Sequence, residues 1–205
     1  MAKGKTFHPN HPSLTNPDFV ADVLKVAKHP ASWLDRARRL RHSANAVFEI
    51  EAPVADDFYE ALGRYGDDPT REFDAPFPNL DGAFMLAAFA VENLLKGLIL
   101  AKGLATFTGP ELPTSLKTHK LLELHRLAAP NAVVPEHLLD YLSHTAIWRG
   151  RYPLPTTIDD FWPIDAGGNL RSGGFTWPGT RDQVQKYCDE LEAELKAVMP
   201  PRPRP

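Results

Sequence analysis

Glu92 and Lys96 stand four residues apart inside the most apolar stretch of the chain, and His144, Arg149, Arg151 and Tyr152 follow within one later segment. A carboxylate and an ammonium in that order share a helix face and pair there. An imidazole exchanges a proton near neutral pH, and a guanidinium grips phosphate through a planar fork of N–H donors. His144, Arg149, Arg151 and Tyr152 together could therefore bind a phosphate. Glu92, with Asn93 and Lys96, would line a polar seam or a cleft between two copies. Each of these residues also has a plainer reading. Glu92 and Lys96 can pair at a bundle edge with the lysine stem over apolar neighbours, and His144 can be a helix-surface or interface histidine. Arg151 and Tyr152 can anchor an adjoining loop by hydrogen bonding and stacking.

Metal chemistry finds less support. His137 and His144 are seven residues apart, about 10 Å along a helix, too far to share one ion directly. His8 and His11 lie near the chain end, and no carboxylate and histidine grouping rises above chance. There is no glycine-rich phosphate loop and no nucleophile motif. The single cysteine, Cys188, excludes an internal disulfide or a cysteine-based zinc cluster within one chain. The sequence implies neither a metal nor another cofactor.

The elements that must position these residues read as helices. Residues 81–102, DGAFMLAAFAVENLLKGLILAK, are apolar on nearly every side, which marks a helix surrounded by others or one inside a bilayer. Glu92, Asn93 and Lys96 at its middle favour the first, since a lipid-facing charge costs about 2.5 to 3.5 kcal/mol. No membrane partner is expected. Before it, Asn16-Pro17-Asp18 opens a short helix towards Lys28, and Ser32 is placed to cap a longer one. In that longer helix Trp33, Leu34, Ala37, Leu40, Ala44, Val47 and Phe48 recur at helical spacing. Asp35, Arg36, Arg38, Arg39 and Arg41 form its opposite face, either solvated or in touch with phosphates. Pro53 is expected to interrupt, leaving a short amphipathic piece over 54–62 and a turn-rich stretch from Gly63 to Asn79.

Later, Thr118 can cap a helix from Lys120 to Ala128 with Leu121, Leu122, Leu124 and Leu127 facing the core. Pro135 opens another helix to about Trp148, with Leu138, Leu139, Leu142 and Ala146 as its stripe. Residues 150–179 lose periodicity but hold Phe161, Trp162, Phe175 and Trp177, so a long, ordered aromatic and glycine-rich loop is expected there. Thr180 and Gln183 make a capping-box pattern before a last helix striped by Val184, Tyr187, Cys188, Leu191, Leu195 and Val198. The organisation expected is a flexible segment over 1–16, one helical domain over 17–199, and a disordered Pro/Arg tail over 200–205. No parallel-sheet signature and no repeat appear, and a small hairpin around Gly167-Gly-Asn169 is the one strand pairing the late loop could hold, so the fold class is all-α.

A net charge of −3 over 205 residues excludes general non-specific nucleic-acid binding by the whole surface and leaves only local basic patches. The first residues carry no apolar core of a secretory signal, which makes a cytoplasmic protein the expectation.

Three pieces in order, Ala90-Val-Glu92-Asn-Leu-Leu-Lys96-Gly-Leu98, Lys117-Thr-His119-Lys-Leu-Leu122 and Trp148-Arg-Gly-Arg151-Tyr-Pro153, resemble the core of a HEPN domain. The resemblance spans roughly residues 32–198. It implies a helical bundle, typically a homodimer, of the kind found in toxin–antitoxin, defence and RNA-processing proteins and beside nucleotidyltransferases. Active members resemble metal-independent ribonucleases, in which a motif of Arg, four to six residues, then His lies near the start of a late helix and two copies of it meet across a dimer cleft. On this chain the resemblance assigns His144 as base and Arg149 as the cation of the catalytic pair, with Arg151, Tyr152, Lys96 and Glu92 as phosphate or nucleotide contacts. The chain departs from the pattern, because no histidine follows Arg149 or Arg151. Arg36 and His42 match it by count alone, and a separation of six turns them about 120 degrees apart on an early helix. His119 is read as a first-turn residue that orients its helix. The functional expectation is RNA or nucleotide binding or RNA cleavage. The alternative is a non-catalytic dimeric scaffold that engages a nucleotidyltransferase-like partner.

Overall fold

The computed structural model describes residues 25, 26, 28–67, 75–108, 111–149 and 179–201. Among them are five α-helices and no strand: α1 (Pro30–Asp67), α2 (Leu80–Ala101), α3 (Leu121–Ala128), α4 (Glu136–His144) and α5 (Gly179–Val198). The all-α class read from periodicity is correct at this level. A 3-10 turn, Thr114–Leu116, precedes α3, and a π-helical turn, Thr145–Arg149, continues α4.

α2 is the axis. Thirteen of its residues are buried, from Ala83 to Ile99, because its neighbours cover it on several sides. It is long and apolar enough to cross a membrane, with mean hydropathy 1.7, yet 72% of that window lies buried inside the bundle. Its end is sharply specified. Gly103 takes φ +68, Gly103 N–H donates to Leu100 O at 3.1 Å and Leu104 N–H to Ile99 O at 3.0 Å. This double closure satisfies carbonyls that the helix itself cannot, and the positive φ favours glycine.

α1 runs antiparallel to α2: Phe48 meets Phe84 edge-to-face at 4.9 Å, while Trp33 and Pro30 approach Gly97 at the other end. A Cβ on Gly97 would lie 3.0 Å from Leu195 Cδ2 and 3.2 Å from Trp33 Cβ, so glycine lets α1, α2 and α5 close at one point. α5 crosses beside α1 in the opposite sense. Arg38 pairs with Glu192 at 2.7 Å, Arg41 with Asp189 at 2.6 Å, and Arg181 with Glu49. Two members of the arginine face thus belong to an interhelix lattice, while Arg36 and Arg39 remain exposed.

Four local expectations are corrected. Pro53 does not break the first long helix, which continues through it to Asp67 and takes in Gly63. Pro53 is exposed, so water can serve the carbonyl that its missing N–H leaves behind, and buried Ala55 carries the inward face past it. Thr118 does not cap α3; its hydroxyl accepts from Lys120 N–H at 3.1 Å, and Leu121 N–H instead reaches buried Ser143 Oγ at 2.9 Å. Leu127 is 37% exposed rather than core. Thr180 lies already within α5 and is buried. Lys102 ties the lower end together: its ammonium donates to Ala128 O and Ala129 O at 3.0 Å, closing the end of α3, and pairs with Glu194 at 2.8 Å. Gly179, expected as the end of the loop over 150–179, instead opens α5, and residues 150–178, the segment 1–24 and the last four residues lie outside the described residues. Pro201 O accepts from His29 Nε2 at 3.2 Å, and His29 Nδ1 accepts Ala31 N–H, which fixes the ring tautomer.

Candidate functional site

Glu92 and Lys96 project from the middle of α2, and both are buried, at 6% and 4% exposure. Lys96 Nζ donates to Glu92 Oε1 at 2.7 Å. Burying one such charge alone costs several kcal/mol, so the pair persists only because each partner compensates the other. The second carboxylate oxygen is also used. Glu92 Oε2 lies 2.9 Å from His119 Nδ1, a contact across 27 residues of sequence. His119 sits on the short segment between the 3-10 turn and α3, and its side chain is 54% exposed. One buried carboxylate therefore joins a buried ammonium to an imidazole that opens on solvent.

This segment is held from the other side by α4. Ser143 Oγ accepts Leu121 N–H at 2.9 Å and donates to Leu139 O at 2.7 Å, so it pins the start of α3 two residues beyond His119. His144 is the next residue of α4 and is partly buried. The chain then widens into the π-helical turn that packs against α2 and ends at Arg149. Buried Thr145 donates its hydroxyl to Tyr141 O at 2.9 Å, and Tyr141 packs edge-to-face on Phe84 at 5.6 Å. Single π turns inside helices often mark functional places. Asn93 donates to Phe89 O at 2.7 Å and so serves its own helix.

Of the residues singled out in sequence, Glu92 and Lys96 come together, and the segment bearing His144 and Arg149 packs on their helix. Arg151 and Tyr152 lie outside the described residues. His119 is the residue that sequence reasoning assigned only to a helix start; its carboxylate partner is set by tertiary packing, so local spacing carried no signal for it. No group of three or more His, Cys, Asp or Glu side chains suited to a metal ion occurs among the described residues.

Two other polar sites belong to the core. His125 Nδ1 lies 2.7 Å from Tyr187 Oη. Burial lowers the His125 pKa below its ordinary value, with Arg126 adding to the effect and Glu136 opposing it, while burial raises that of the Tyr187 phenol. Cys188 is buried and pushed up to about 12 by desolvation, so it stays a neutral thiol with no nucleophilic role.

No protein-family model, curated protein or solved structure matches the chain.

Proposed function

We propose that this protein is a HEPN-like, homodimeric helical bundle that acts on RNA by metal-independent cleavage, in a toxin or defence setting within the cytoplasm. The observation that carries the reading is the Lys96 and Glu92 ion pair, buried in the apolar helix α2, against which the π turn that follows His144 and ends at Arg149 packs. Ionic groups kept where burial is costly, in a seam reached from solvent through a histidine, are a common sign of a working site. Cleavage of RNA at the ribose 2′-hydroxyl needs a proton acceptor and a cation on the phosphate, and no metal. Histidine and arginine provide both. Arg149, with Arg151 and Tyr152, supplies the phosphate contacts in this reading.

The test is cleavage of a mixed, end-labelled RNA in EDTA by the wild type and by Arg149→Ala and His144→Ala. Cleavage by the wild type, lost in Arg149→Ala with the fold retained, supports the reading. No cleavage above a mock purification at high protein concentration defeats it. That result would favour the scaffold reading, in which the dimer engages a nucleotidyltransferase-like partner. Exposed Ile50, Leu62 and Phe77 along and beside the outer half of α1 favour such a contact.

A further inference from the structure

We propose that His119, in place of His144, is the general base of this site and Glu92 its positioning residue, an inference that rests on the RNA-cleaving reading above. Glu92, ionised in its pair with Lys96, can only accept hydrogen bonds. His119 Nδ1, 2.9 Å from Glu92 Oε2, must therefore carry the proton. The neutral ring then has its lone pair on Nε2. The Nδ1 edge is turned to a buried carboxylate while the side chain as a whole is 54% exposed, so the ring is within reach of a substrate from solvent. An imidazole held in one tautomer by a buried carboxylate, with its other nitrogen left to accept a proton, is the arrangement that general-base histidines use. Lys96 completes it by holding the other carboxylate oxygen at 2.7 Å, which stops Glu92 from rotating away.

The step balances without a metal. Nε2 of His119 takes the proton of a ribose 2′-hydroxyl as O2′ forms a bond to phosphorus. The bond from phosphorus to O5′ breaks, and the departing oxygen takes a proton from water. The products are a 2′,3′-cyclic phosphate and a 5′-hydroxyl, and the imidazolium returns its proton to solvent. Glu92 stabilises the transient cation without itself being protonated.

Three measurements test this. In EDTA, His119→Ala should lower single-turnover cleavage by about 100-fold or more, the scale of a lost general base, while RNA affinity and melting temperature hold. Replacing the whole charge pair, Glu92→Gln with Lys96→Met, avoids a stranded buried charge and should cost about tenfold or more, because the ring remains but its tautomer is released. Nitrogen-15 spectra of the neutral His119 ring should show a protonated Nδ1 in the wild type and a mixture of tautomers in the double variant. Wild-type cleavage that persists in His119→Ala but is lost in Arg149→Ala would overturn this assignment and leave the RNA-cleaving reading standing. A protonated Nε2 in the wild type would also overturn it. Absence of wild-type cleavage would remove both.

Discussion

At the scale of single residues, Glu92 and Lys96 should behave as a unit. Glu92→Gln leaves an ammonium that is 4% exposed with no carboxylate, and Lys96→Met takes the buried ammonium from Glu92 and leaves it the half-exposed His119 ring. Stranding a buried charge costs about 3–5 kcal/mol when no partner remains, whereas replacing both partners with neutral groups is often close to neutral. Urea unfolding of the two single variants and the double variant should therefore give strong non-additivity, the double variant being more stable than either single one. Additive losses would mean that each charge is solvated separately. The pair itself was legible in sequence, since a spacing of four fixes two side chains on one face. The contact with His119 was not, because it depends on how the segment before α3 folds back onto α2.

At the scale of elements, α1 makes the sharpest prediction. A proline inside a helix costs about 3 kcal/mol relative to alanine, through the lost N–H and the clash with the preceding turn. Pro53 is exposed and packs no core, so Pro53→Ala should raise stability by about 1–3 kcal/mol, read as a higher urea midpoint with an unchanged slope. A loss of stability would show that α1 needs the bend. The helix was expected to stop at Pro53 because local rules see the missing donor; the continuing burial at Phe48 and Ala55 shows what outweighs it. α2 was legible almost to the residue, read over 81–102 and found at Leu80–Ala101, since apolarity and Gly103 mark its body and its end. The π turn was illegible, because it differs from an α turn by one extra residue and has no composition of its own. The arginine face showed the limit of reading one helix alone. Arg38 and Arg41 look like solvent-facing cations until α5 brings Glu192 and Asp189 beside them.

At the scale of the whole molecule, two responses to solution conditions follow. The His125 pKa lies below its ordinary value of 6.5, chiefly through burial, so the unfolded chain binds that proton more readily than the native one. Its contribution to stability is complete above pH 6.5 and is lost as pH falls through that value towards the depressed one. Glu192 acts lower: burial pushes its carboxyl up, but the hydrogen bonds from Arg38 and Lys196 outweigh that and leave it below the ordinary range. Its contribution is present above the usual carboxylate value and is lost as pH falls through the lowered one. Unfolding midpoints should thus begin to drop just below pH 6.5, and His125→Asn should flatten that first part only. Salt tests the proposed RNA contact in the same global way. With a net charge of −3, the protein has no general attraction for a polyanion, so any affinity must come from a few local phosphate contacts. About four such contacts on a single strand give a slope near −3 in log affinity against log salt, or about a fifty-fold loss between roughly 50 and 200 mM. An apolar protein interface lacks this dependence. Fluorescence anisotropy of a short RNA across that range, beside the oligomeric state at each salt concentration, separates the two. A flat response would show that the RNA is not held through its phosphates and would favour partner binding. A steep slope that weakens by about one in Arg149→Ala would assign one phosphate to that residue.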